Sequence, residues 1–309
     1  MGAEPAFQEP DVLLPVHEAE IRREFAIKIE SEIRANPRTA NFKLNTAQVA
    51  TILSVPLSAL RPGGYLSTGV LSGELYQRLT GLPALVKHSE YRWFILGLVY
   101  KLANIQKTEK VFQHIQAFFG KDWLLRYRPY LLNPQQPGSS DKVWNMLCLN
   151  ITDYGWWRCA KFGLKCLGIR PTTQGESVVI LQLNWVPQQE MDPKKVMSLQ
   201  GQDNDFDKMV ECAKSFHSDG SPDSIHELPE FSILSGHLIH VPMPNPEAVH
   251  FKAMIGLHWA MIVVAAFCGG AVAPRLLPDR EEFHVGHENV DGQELRTRGW
   301  AKAHTGCHS

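Results

Sequence analysis

Ile21, Phe25, Ile29 and Ile33 recur at steps of four between Glu, Arg and Lys residues. That spacing puts them on one helical face and predicts an amphipathic helix over residues 18–35, ended by Asn36-Pro37. A second helix is predicted over 46–53, with Asn45 as its N-cap and Gln48 as the capping-box partner. Residues 61–64, RPGG, mark a turn, and the short apolar pieces after it are interrupted by Gly69, Gly73, Gly81 and Pro83. Residues 91–103 are apolar and aromatic. Residues 112–130 read as a helix with Phe112, Ile115, Phe118 and Phe119 on one side, and 133–140, NPQQPGSS, read as a loop.

Residues 144–169, WNMLCLNITDYGWWRCAKFGLKCLGI, read as a strand, a turn and then a helix carried by Ala160, Leu164 and Leu167. VVILQLNW at 178–185 is the strongest strand pattern in the chain, bounded by Gly175 and Pro187. HLIHV at 237–241 predicts another strand, and 246–273 a long apolar helix. The expected fold class is α+β: helices around a short β-hairpin and its helix, with a small antiparallel sheet. The expected organisation is a helical N-terminal region (1–60), a central region (61–187), and a polar surface insertion rich in Asp, Gln and Ser (188–230). A strand plus buried helix (231–273) would complete the same domain, and 274–309 would be a disordered tail.

Composition narrows the picture. Hydrophobic residues make up 44% of the 309 and charged residues 20%, enough apolar material for a real core. A formal net charge of −1 excludes a strongly basic nucleic-acid coat but leaves room for a local basic groove. The six cysteines form no CxxC pair and read as buried thiols of a reducing compartment. The N-terminus has neither a basic start nor the apolar run of a secretory signal. The expectation is therefore an intracellular protein of the nucleus or cytoplasm. Residues 257–273 are apolar for 17 positions apart from His258. A span usually needs about 20, so a buried helix and no membrane partner are expected.

No P-loop, dinucleotide fingerprint, HExxH or GxSxG is found. His237 and His240 lie three apart on a strand, which points them to opposite faces and makes them poor co-ligands. His284, His287, His304, Cys307 and His308 are zinc-ligand types, but no strand–helix frame surrounds them and they read as a solvated tail.

DKVWNMLCLN, then YGWWRCAKFGLKCLGI, then VVILQLNWVP, and more weakly LSGHLIHVPMPNP with the closing helix, resemble the HNH nuclease-domain proteins common in fungi. The resemblance covers about residues 75–273. It implies a ββα-metal hairpin embedded in the helices. In that family a His ending the first strand acts as general base, an Asn orients it, and a His opening the helix helps hold a divalent metal. Carried over, Asn145 fits the Asn. His88 is a poor match to the base, because Lys87 precedes it and no Ile-x-Pro follows, although Thr80-Gly81 is kept. Tyr154 stands where the metal-holding His is expected. A neutral phenol is a poor magnesium ligand. The resemblance thus implies either a divergent relative with impaired or lost catalysis, kept for binding DNA or a protein partner, or an active DNA endonuclease using magnesium, manganese or zinc. Each residue also has a plain structural reading: Asn145 as a turn cap, His88 as a half-buried or surface His, and Tyr154 as packing beside Trp156 and Trp157. Lys121, Arg126, Arg128, Lys142, Arg158, Lys161 and Lys165 bracket the unit, as a phosphate-tracking groove or as ordinary surface charge.

Overall fold

The computed structural model describes residues 6–10, 13–92, 113–131, 142–149, 153, 156–157, 160–172, 175–187, 189, 191–215 and 234–270. Helix α1 (Ala19–Arg34) forms where the apolar spacing predicts it, but its buried face runs through Arg22, Ala26, Ile29 and Ile33. Ile21 is left 47% exposed. The cause is the helical repeat: strict steps of four drift around a helix of 3.6 residues per turn, so the stripe must include a step of three to stay against the core. Arg22 is buried because it finishes its neighbour. Its guanidinium donates to the carbonyls of Ile52 (2.8 Å) and Val55 (2.7 Å), the open C-terminal end of helix α2 (Thr46–Ser54), and to Glu18. A cation there meets the negative end of the helix dipole. Burial lowers its pKa while the Glu18 carboxylate opposes that shift. At the other end of α2 the Asn45–Gln48 capping box forms as expected.

A four-residue helix α3 (Leu57–Leu60) leads into the turn at 61–64. The glycine-punctuated pieces that follow are not separate. Residues from Ser72 make one helix, α4 (Ser72–Arg92), with Pro83 inside it. Gly81 has a packing role: a Cβ built on it would overlap the Nε2 edge of the His114 ring. His114 is 3% exposed, and its Nδ1 is hydrogen-bonded to the Tyr65 hydroxyl at 2.8 Å. Helix α5 (Gln116–Leu131) bends at Gly120, whose φ of 81° and ψ of 171° break the expected straight helix. Phe112, part of that expected face, lies outside the described residues.

The largest correction falls on 160–169. Instead of a helix, the chain forms strand β1 (Phe162–Pro171), antiparallel to β2 (Glu176–Trp185), which pairs in turn with β3 (Leu238–Pro244). Phe162 faces Trp185 and Val179 faces Val241 across the ladders, with a bulge between Cys166 and Gly168. The residues at 160, 164 and 167 fit a helical period, but Phe162, Leu164 and Cys166 also alternate. The long buried run of β2 decides the matter, because both its edges must be hydrogen-bonded. The order β1-β2-β3 fits the expected small antiparallel sheet in an α+β fold. A ββα-metal hairpin is not shown among the described residues.

The expected polar insertion is also partly folded. Residues 205–215 form helix α6 (Asp205–Ser215), which buries Phe206, Met209 and Ala213. Its polar composition reflects its outer face. Asn204 caps it through Oδ1 to Asp207 N (2.9 Å). Asp205 accepts from Lys195 Nζ (2.7 Å) and from the Ser198 N and Oγ (2.9 Å each). The lysine and these donors hold its carboxyl at a pKa of about 2. Residues 216–230 and the expected tail, 274–309, lie outside the described residues.

Helix α7 (Asn245–Phe267) is the centre of the molecule. It lies on β1 and β2 and meets α2 and α4. By length and composition it would suffice to cross a membrane, but most of its apolar surface is covered by protein. One core runs from Leu14 through Ile29, Leu53, Leu79 and Leu181 to Cys268, so the N-terminal helices and the sheet share their interior.

Candidate nucleic-acid interface

Asn145 sits in a 3-10 turn, Val143–Asn145, between α5 and α7. Asn145 N donates to Lys142 O (2.8 Å) and Met146 N to Val143 O (3.1 Å), which fixes the turn. Trp144 anchors it and is 5% exposed. Around that indole a ladder of rings runs along one face of α5. Phe119 stacks on Trp123 at 4.9 Å, and Trp123 meets Tyr127 at 4.7 Å. His250 of α7 closes the ladder, 4.4 Å from Tyr130 and 5.3 Å from Trp144 between ring centroids. The steps 123, 127 and 130 are those that bring side chains onto one helical face, and Phe119 joins them across the bend at Gly120.

Burial lowers the pKa of His250, opposed by the Glu247 carboxylate one turn before it. Its imidazole is therefore neutral near physiological pH and packs as an aromatic ring. Lys121, Arg126 and Arg128 on α5 and Lys142 before the turn are exposed. Tyr130 is 44% exposed, Val143 62%, Met146 48% and Val249 47%.

The other expected site residues are placed less completely. Position 88 lies in the last part of α4, on a helix rather than at the end of a strand, and its side chain is outside the described residues. Tyr154 is outside them altogether. Trp157 has the structural role: it is 4% exposed and stacks on His258 of α7 at 3.8 Å with the ring planes 1° apart. Trp156 meets Trp185 edge-on at 5.5 Å. Burial drops His258 to a pKa of about 3. His237 precedes β3 and His240 lies within it.

Among the described residues, no three His, Cys, Asp or Glu side chains converge as a metal site would require. The side chains that the resemblance would place beside a metal, those of His88 and Tyr154, lie outside the described residues. Sequence reasoning missed His250, His258 and His114, each of which is held among rings. The aromatic spacing past Phe119, through Trp123, Tyr127 and Tyr130, signals the ring face of α5 but not the histidine that joins it. Comparison with protein-family models, with curated proteins and with solved structures gave no match.

Proposed function

We propose that this chain is a nucleic-acid-binding relative of the HNH nucleases that has lost phosphodiester hydrolysis. The observation that carries the binding half is the exposed basic set Lys121, Arg126 and Arg128 on α5 and Lys142 just before the turn holding Asn145. Cations from two elements suit a phosphate backbone, whose contacts supply affinity without reading sequence. The catalytic half rests on Tyr154, a phenol at the position where the resemblance expects a metal-binding imidazole. DNA is the partner this reading names, and a protein partner is the fallback if DNA does not bind.

A plasmid-nicking assay with magnesium or manganese, run on the whole chain and on His88→Ala, tests it. The expected result is retarded migration of the plasmid with no cleavage above the level of the variant. Metal-dependent nicking that disappears in His88→Ala would restore the endonuclease.

A further inference from the structure

We propose that the cavity between the loop at 62–70, α4 and α5 binds the hydroxyl-bearing ring of an uncharged sugar, either free or as part of a nucleoside. Its volume is about 420 Å³. Small-molecule sites usually span about 300–1,000 Å³. Residues 62–65 and 67–70 of the glycine-punctuated loop line it, with Arg78 of α4 and Gln116 of α5. None of the cations assigned to phosphate above lines this cavity, so the two readings stand or fall separately.

The wall carries hydrogen-bonding groups that the protein leaves uncommitted. Ser67 is 3% exposed, and its Oγ accepts from Gly69 N (3.1 Å). Among the described residues nothing accepts the Ser67 hydroxyl proton. A buried donor is costly to leave unpaired, and a ligand oxygen in the cavity would complete it. The side chains of Thr68 and Gln116 are half-buried and make no hydrogen bond among the described residues. A hydroxyl and a primary amide each donate and accept. Neighbouring sugar hydroxyls do the same, so the two sets complement each other. Arg78 is the one charged side chain among the described wall residues. Its guanidinium donates to Tyr65 O (2.8 Å) and sits 4.9 Å over the Tyr65 ring, which fixes it in place before any ligand arrives. Glu74, one turn earlier on α4, meets its charge. A cation already paired adds little for an anion but keeps N–H donors for a neutral oxygen. The wall therefore favours an oxygen-rich ring of no net charge over phosphate or carboxylate.

The test is saturation-transfer NMR of the full chain with methyl glucopyranoside and with adenosine. Each is run beside a control of similar shape that lacks the neighbouring hydroxyls, methoxytetrahydropyran for the first and dideoxyadenosine for the second. The expected result is transfer to at least one hydroxylated probe and none to its control. A signal from the glucoside alone assigns a free sugar, and one from adenosine alone assigns a nucleoside. Thr68→Val and Gln116→Leu should each weaken the bound probe roughly threefold to tenfold. Thermal melts of both variants should match wild type, since neither side chain bonds to another described residue. No transfer to either probe, equal transfer to the controls, or displacement of the probe by inorganic phosphate would overturn the inference. Affinity unchanged in both variants would place the probe elsewhere and overturn it too.

Discussion

His258→Phe is expected to remove a large part of the acid sensitivity of this protein while keeping its fold. His258 is 6% exposed and lies flat on Trp157, and burial pulls its pKa from 6.5 to about 3. A histidine whose folded pKa is depressed is neutral in the native state and takes up a proton on unfolding. Its contribution is therefore complete above the unfolded value of 6.5 and is lost as pH falls from there towards about 3. Inside that window the loss approaches about 1.4 kcal/mol per pH unit. Urea unfolding at about pH 7 and about pH 5 should show wild type losing roughly 2 kcal/mol more than His258→Phe. A phenyl ring keeps the stack on Trp157, so the variant should fold. Parallel losses in the two proteins would mean that His258 is not buried as described.

The second large effect runs against helix propensity. Gly→Ala inside a helix ordinarily stabilises by about 1 kcal/mol. Gly81→Ala should instead destabilise by roughly 2–4 kcal/mol, because the new methyl would displace His114 and break its bond to the Tyr65 hydroxyl. Removing the obstruction should reverse the sign. In a His114→Ala background the same change should become neutral or stabilising, a coupling measurable by a double-mutant cycle of urea melts. A stabilising Gly81→Ala in the wild-type background would show that the ring does not sit over the helix.

Legibility followed locality. The capping box at Asn45 and Gln48 and the spacing of α1 are set within a few residues, and both were readable. The buried run of β2 was readable for the same reason, since four to eight apolar residues between turn signals have few other structures to enter. Residues 162–171 were not readable. Their pattern supports two periods, and the choice is made by β2, which they pair with, and by α7, which covers them. Helix α6 was hidden by its polar face, although Phe206, Met209 and Ala213 stand at helical steps. Of the candidate site residues, Asn145 lies in the Val143–Asn145 turn, next to the buried Trp144 of the ring cluster. His250, which completes the ring cluster, comes from a helix about a hundred positions later in the chain, and no local pattern announces that meeting.

Binding through phosphates is read out by the salt dependence of affinity for a labelled DNA strand. If Lys121, Arg126, Arg128 and Lys142 meet phosphates, the logarithm of the affinity should fall linearly with that of the salt concentration, with a slope of about −2 to −3. Charge reversal at Arg126 and Lys142 together should remove roughly half of that slope without shifting the thermal melt. Affinity that ignores salt, or no binding at low ionic strength, would contradict the account.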